Sequence, residues 1–376
     1  MGAELYLGLM SGTSMNGVDA ALCEFNEGRL QRILGAHTLP YPQKLRQRLL
    51  TIVQQQPALP LDELTALDAE VAQVFAQAAN EVLGKYTGDR EKIRAIGSHG
   101  QTLFHAPDRT PGTTLQIGDP NRIAALTGIA TVADFRRRDL ALGGQGAPLV
   151  PAFHHAQFSD AAEARVVINI GGIANITILP DGEAGVRGFD TGPGNGLMDE
   201  WAQEKLKQPH DDDGRWAASA EAEPALLQAL LADAYFSRSP PKSTGRTEFG
   251  LKRCRQIFPG LDALDAARVQ RSFCELTAHT IADAIRQHAP LARRVLVCGG
   301  GARNVFLLSR LQAQLRPIIT EPTDALGLDA QWVEAAAFAW LAMRTMNGLP
   351  GNLPAVTGAK KSAILGGIYS TGATRL

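Results

Sequence analysis

The sequence predicts an α/β protein of two domains, and three observations carry that prediction. Its 376 residues, 45% of them apolar, exceed what one core comfortably organises. Two apolar runs split by a glycine turn occur twice, as LGLMSGTSMNGVDAALCEF near the start and as VVINIGGIANITIL from Val166. After each, strand-like runs alternate with helical periodicity, the pattern of sheets flanked by helices.

The elements follow in order. Residues 6–13 and 18–25 read as strands, joined by a turn whose Asn16-Gly17 pair tolerates positive φ. Leu61, Leu64, Leu67, Val71, Val74, Phe75, Val82 and Leu83 recur near 3.6-residue spacing and stop at Gly84, which predicts a helix. Strands are expected at 94–98, 114–117 and 130–135, with a capped helix start at Gly118-Asp119-Pro120. From Val166 a second hairpin turns at Gly171-Gly172, and a third strand at 186–189 runs into Asp190-Thr191-Gly192-Pro193-Gly194-Asn195. Helices are predicted at 196–206, along Val269, Phe273, Leu276, Ile281 and Ile285, and at 304–315. The buried strand 295–298 and the turn Gly299-Gly300-Gly301 precede the last of these. Residues 208–216 and 237–250 read as loops, with Asp211-Asp212-Asp213 solvated. The domain boundary is set near residue 160, giving 1–160 and 161–376, with the last helix able to pack back on the N-terminal domain.

Lys and Arg (37) nearly balance Asp and Glu (38), for a formal net charge of −1. That balance argues against nucleic-acid and membrane-surface partners, which need an electrostatic excess. MGAELYLGLM has no basic n-region, so it does not read as a signal peptide, and no window approaches the ~18 apolar residues of a membrane span. Cys23, Cys254, Cys274 and Cys298 are far apart and form no CxxC pair, the usage expected of reduced, buried thiols in a cytoplasmic protein.

Glycine-rich turns present backbone N–H groups that an anion can approach without meeting a Cβ. Here they lie between strands. There is no GxxxxGK[ST], and GGGARN departs from the Rossmann pattern, so neither a P-loop nor a dinucleotide fold is expected. The segments GLMSGTSMNGVDAAL, SHGQTLFH, ADFRRRDLALGGQGAPLVP, INIGGIANIT, FDTGPGN, KSTGR, VCGGGARN and DALGLDAQWVEAAAFAWLA together resemble the anhydro-N-acetylmuramic acid kinase family, over nearly the whole chain and in order. The resemblance implies two ribonuclease-H-like domains of the actin/Hsp70/sugar-kinase type, with mixed sheets flanked by helices and an ATP cleft between them. It also implies a homodimer in the cytoplasm, acting in peptidoglycan recycling on a small-molecule anhydrosugar with ATP and Mg²⁺. In that reaction water opens the 1,6-anhydro bridge of 1,6-anhydro-N-acetylmuramic acid while O6 takes the γ-phosphoryl group. One departure stands out: the family's usual acidic residue in the first turn is Asn16 here, which leaves Asp19 as the nearby carboxylate.

Roles carried over by the resemblance fall on particular residues. Asp190, which would otherwise read as an Asx-turn residue, becomes the base that takes a proton from water. Glu334, an acid in an apolar helical stretch, becomes a second active-site carboxylate. Gly12, Thr13, Ser14, Met15, Asn16, Gly17 and Val18 would cradle the β- and γ-phosphates, and Asp19 would hold Mg²⁺. Gly171, Gly172 and Asn175 would form the opposing phosphate turn, with Gly299, Gly300, Gly301 and Asn304 against adenosine. His99, Gln101, Arg136 and Arg138 are candidates for the sugar, the arginines for its lactyl carboxylate, which a guanidinium fork matches. Three rival readings keep parts of this pattern: a kinase of another anhydrosugar such as levoglucosan, a nucleotide-driven conformational ATPase, and a glycosidase using Asp190 and Glu334. The last leaves the glycine turns without a purpose.

Overall fold

The computed structural model describes residues 3–180, 185–240, 242–245 and 248–372. A meander comes first, β1 (Glu4–Met10), β2 (Gly17–Asn26) and β3 (Arg29–Pro40), followed by α1 (Gln43–Gln55) and α2 (Leu61–Lys85). Then come β4 (Ile93–Ser98), the hairpin β5 (Gln101–Ala106) and β6 (Thr113–Ile117), α3 (Pro120–Thr127), β7 (Thr131–Ala133), α4 (Phe135–Ala141) and α5 (Val150–Phe158). A second meander, β8 (Arg165–Ile170), β9 (Ile173–Leu179) and β10 (Arg187–Pro193), precedes α6 (Gly196–Lys205), α7 (Arg215–Ala218), α8 (Pro224–Leu231), α9 (Leu251–Ile257) and α10 (Ala266–His288). The chain ends through β11 (Arg294–Cys298), α11 (Val305–Leu315), β12 (Ile319–Pro322), α12 (Val333–Met346), α13 (Pro354–Thr357) and β13 (Gly367–Tyr369).

The fold divides into two units, 1–157 with 332–376, and 158–331. The second domain, expected to run to residue 376, therefore closes at Gln331, and α12 and everything after it belong to the first unit. The reason is visible in the strands: Gly8 of β1 and Gly97 of β4 lie side by side and let the backbone of α12 settle directly on the sheet.

Both units use one topology. The first sheet runs β13-β7-β4-β1-β2-β3 and the second β10-β9-β8-β11-β12. In each, a three-stranded antiparallel meander is continued from its first strand by two parallel strands, and the first sheet adds β13 antiparallel at its edge. That order is the ribonuclease-H-like arrangement, with mixed sheets flanked by helices. The apolar runs are the buried strands: Leu5, Leu7, Leu9 and Ile96 join Leu67, Val71, Phe75 and Val82 of α2 in the first core. In the second, Val166, Ile168, Val295 and Val297 meet Phe273, Ile281 and Ile285 of α10. Helix starts follow capping chemistry, Asp119 accepting from Asn121 N–H and Asp265 from Ala267 and Arg268 N–H.

Two local expectations are corrected. The residue with positive φ in the first turn is Met15 (φ 51), not Asn16 or Gly17. Gly17 is required sterically instead, since a Cβ there would stand 2.5 Å from Leu39 O on the neighbouring strand. Asp211 is not solvated: its carboxylate is buried and accepts from Trp216 and Ala217 N–H, both at 2.9 Å, so it caps α7. Cys23, Cys254, Cys274 and Cys298 are all buried, and burial pushes the Cys254 and Cys274 thiols up to about 12.

Candidate active site

In the first unit the β1–β2 turn spans residues 11–16 and is braced from below. Met15 N–H closes on Gly12 O (3.2 Å), while the Ser11 hydroxyl lies 2.9 Å from Gly17 O and 2.8 Å from Gln101 Oε1. Tyr41 donates to the same Gln101 oxygen at 3.2 Å. Gln101, a candidate for the sugar, is thus fully buried with its amide oxygen committed to the floor of the turn. Arg46 fixes the rim, donating to Met15 O (3.0 Å) and to Asn16 Oδ1 (2.8 Å). Asn16 so makes a contact that a carboxylate would also make. Thr13 is exposed, Ser14 half-buried and Val18 buried. Gly12 faces open space, with nothing within 4 Å of where a Cβ would be. Asp19, on β2 opposite Met10, is half-buried and accepts from the Thr38 hydroxyl at 2.5 Å.

Beside this turn, His99 and Arg136 come together. Leu9 O holds the His99 backbone N–H (3.0 Å), and His99 Nδ1 lies 3.3 Å from Ser11 O. Its Nε2 receives Arg136 Nε (3.2 Å) and Nη2 (2.8 Å). The ring is buried against Phe338, with centroids 4.7 Å apart. Burial and the adjacent guanidinium hold the His99 pKa well below the usual imidazole range, so it is neutral and accepts from Arg136. Burial likewise pushes the Arg136 pKa down to about 10, opposed by the charges of Glu334 and Asp139. Glu334 stands in the first turn of α12, half-buried and in the field of Arg136. Arg138 is exposed, on the other side of α4. The structure therefore groups His99, Arg136 and Glu334, and leaves Arg138 outside.

Sequence reasoning missed Asp139, the anchor of this corner. It is fully buried and accepts from Gly146 N–H (2.7 Å), Asn352 Nδ2 (2.7 Å) and the Thr357 hydroxyl (2.8 Å). A buried charge persists only when so satisfied. Asp139 thereby ties the 143–148 loop, whose Gly146 carbonyl accepts from Arg136 Nη1 (2.8 Å), to the C-terminal segment.

In the second unit the β8–β9 turn is clamped to the segment after β10. Asn195 N–H donates to Gly171 O (2.7 Å), and Gly194 and Gly196 N–H donate to Gly172 O (3.0 and 3.1 Å). Adjacent strands place Asn169, Asn175 and Asp190 in register, so one row of polar side chains crosses the sheet beside that turn. Asn169 was also missed. It is buried, and among the described residues its Oδ1 has no hydrogen-bond partner. Gly299 (φ 79) is required there, because a Cβ would overlap Asn169 Oδ1 and lie 2.9 Å from Ile170 O. A Cβ at Gly301 would overlap Ile170, whereas at Gly300 it would meet nothing closer than 3.6 Å. Asn304 caps α11, accepting from Leu307 N–H at 2.9 Å.

Asp190 lies on the edge strand β10. Its N–H donates to Lys242 O (3.1 Å), its Oδ2 accepts from Thr244 N–H (2.9 Å), and its carbonyl accepts from the Tyr235 hydroxyl (2.8 Å). Burial pushes the carboxyl up to about 6, against the pull of the Thr244 N–H. Among the described residues Oδ1 has no donor. Such a carboxylate, poised near neutrality with one oxygen fixed, is suited to take a proton. The signal for its partners was the KSTGR segment, which carried no assigned role; Arg246 of that segment lies outside the described residues. Among the described residues no three His, Cys, Asp or Glu side chains gather as a metal site, and no helix is long and apolar enough to cross a membrane.

The family model for anhydro-N-acetylmuramic acid kinase matches residues 4–371. A protein of that name from Xanthomonas axonopodis pv. citri (strain 306) is 51% identical over 369 residues, 98% of each chain. Another of that name from Shewanella denitrificans is 50% identical over 367 residues, again 98% of each chain. A third, from Xanthomonas campestris pv. campestris (strain 8004), is 50% identical over 98% of this chain and 97% of its own. Likeness of this depth over the full span of both partners settles the family: the chain belongs to the anhydro-N-acetylmuramic acid kinases and is a sugar kinase that uses a nucleotide.

Proposed function

We propose that the chain converts 1,6-anhydro-N-acetylmuramic acid, water and ATP into N-acetylmuramic acid 6-phosphate and ADP, in peptidoglycan recycling. Water oxygen bonds to C1 as the C1–O6 bridge breaks, O6 takes the γ-phosphoryl group, and the water proton passes to Asp190. The observation that carries this reading is Asp190 itself, with Oδ2 fixed by Thr244 N–H and its carboxyl raised to about 6. Residues 12–18 serve the terminal phosphates; the open space in front of Gly12 supports that role. The Gly171-Gly172 turn and Asn175 serve them in the second unit, and Gly299, Gly300, Gly301 and Asn304 form the adenosine surface.

Mg²⁺ takes one or two carboxylates together with water and phosphate oxygens, a donor set that Asp19 beside the phosphate turn fits. When bound it offsets charge on the phosphates. His99, Arg136 and Glu334 serve the sugar, with Gln101 holding the turn. Of the two arginines, Arg136 is the one for the lactyl carboxylate, since it lies beside His99 and Glu334 while Arg138 is exposed.

The deciding experiment is ADP release with ATP, Mg²⁺ and either the muramic sugar or levoglucosan, run in oxygen-18 water. One heavy oxygen in a sugar phosphate made from the muramic sugar is expected; ADP release indifferent to the sugar would defeat the proposal. Arg136→Ala should weaken the muramic sugar about 10- to 100-fold, the worth of a charged hydrogen bond, and levoglucosan far less. Arg138→Ala should leave both KM values near wild type. Equal losses for both sugars in Arg136→Ala would remove the carboxylate assignment.

A further inference from the structure

Among the described residues no strand pairs with the outer edge of β10 at Asp190. A short segment takes that place, and its fastening is built in a closed circuit. Lys242 O and Thr244 N–H engage the backbone N–H and Oδ2 of Asp190. The Lys242 ammonium turns away from the carboxylate, donating to Phe236 O (3.2 Å) and Tyr235 O (3.4 Å). It also lies over the Tyr235 and Phe189 rings, at 4.9 and 5.8 Å from their centroids. Tyr235 returns the circuit through its hydroxyl to Asp190 O at 2.8 Å. Phe236 packs on Gly192, where a Cβ would stand 2.7 Å from its ring, and stacks on Phe249 at 5.4 Å. Among the described residues, Arg238 pairs with Glu248 (3.9 Å) and Arg253 with Asp233 (3.3 Å), while His288 stands edge-on to Phe189, where burial and the charges of Arg187 and Lys242 hold its imidazole below the ordinary range.

We propose that Lys242 is a positioning residue for the reaction, its ammonium fastening the 242–244 segment to the Tyr235–Phe236 turn so that Thr244 N–H stays on Asp190 Oδ2. The inference rests on Asp190 being the base. A lysine here does what an apolar residue of equal length does not: it donates to the Tyr235 and Phe236 carbonyls and so holds the strap in one register. With Thr244 N–H held on Oδ2, the plane of the carboxylate is fixed and Oδ1 is the oxygen left without a donor among the described residues, so the base presents that oxygen to water in one orientation. Loosening the strap removes a hydrogen bond to the ionised form and lets the carboxylate rotate.

The test compares full-length wild type, Lys242→Met, Lys242→Arg and Tyr235→Phe by kcat, KM for both substrates and pH profile, with Asp190→Asn alongside. Lys242→Met should lower kcat about tenfold, keep both KM values within about twofold, and move the acid limb of the profile to higher pH. Lys242→Arg, which can reach the same carbonyls, should recover most of the rate. A Lys242→Met enzyme with the wild-type kcat and acid limb overturns the inference. So does a loss of rate with the limb unmoved, which a merely structural role would produce. If Lys242→Met does not fold, Tyr235→Phe opens the same circuit by one hydroxyl and is held to the same two readouts. Substantial turnover in Asp190→Asn defeats the reading of Asp190 as base, whereas an inactive Asp190→Asn beside an unaltered Lys242→Met defeats the strap alone.

Discussion

Asp190→Asn is expected to lower kcat by about 100- to 10,000-fold, the usual worth of a positioned base, with ATP and sugar still bound. The amide keeps the shape of the side chain, and its oxygen can still accept from Thr244 N–H. What it cannot do is take the water proton. In the wild type the same group sets the pH dependence. Below about 6 the carboxyl is protonated and idle, so kcat/KM should fall as pH drops through that value and level off above it. Stability runs the other way. A carboxyl whose folded pKa lies above its unfolded one stabilises the fold when protonated, and this contribution is lost as pH rises through about 6. The neutral amide escapes that loss. Asp190→Asn should therefore melt higher than wild type at alkaline pH, with the gap narrowing in acid. An inactive variant that melts lower at every pH would mean that folding had failed, and retained turnover would remove Asp190 from the chemistry.

Much of this architecture was legible because burial imprints itself on short apolar runs. VVINI and RVLVC are covered on both faces and read as strands, and α2 carries an apolar stripe along its whole length. β3 was invisible for the opposite reason. Its residues Ile33 to Leu39 are all half-buried, so RLQRILGAHTLP has no alternation to detect. β13 is three residues at a sheet edge, too short for any period. In the first turn, Asn-Gly chemistry pointed to positive φ at Asn16 or Gly17, but tertiary structure used Gly17 for close approach and put the left-handed residue at Met15. The site divides in the same way. Asp190 and the glycine turns stand out locally, whereas the groups that hold Asp190, Tyr235 and Lys242 on its backbone and Thr244 on its carboxylate, lie some 45 to 54 residues further along. Nothing within a window of sequence connects them. Gln101 shows the converse, a polar residue beside a histidine that reads as a ligand contact until its neighbours appear beneath the turn.

The glycines offer a second large effect, because two that look alike in sequence have unrelated reasons to be glycine. Gly8 lies in the middle of β1, where a Cβ would overlap the carbonyl oxygen of Ala335 and stand 2.7 Å from Ala339 N. Both obstacles are helix backbone, so no rotamer change relieves them, and α12 would have to lift from the sheet. Gly97 beside it on β4 meets Phe338 O in the same way, so the helix cannot escape sideways. Gly8→Ala is accordingly expected at the upper end of overpacking, about 3 kcal/mol or more, which is a fall in Tm of roughly 6 to 12 °C for a unit of this size. Gly12, four residues on, has open space in front of it and no positive φ. Gly12→Ala should leave Tm within about 2 °C of wild type while raising the KM for ATP, since its new methyl group occupies the approach to the turn. Thermal melts and ATP titrations on the two variants separate the roles. A Gly8→Ala protein that melts like wild type would show that α12 does not rest on β1, and a Gly12→Ala protein with unchanged KM for ATP would show that the phosphates lie elsewhere.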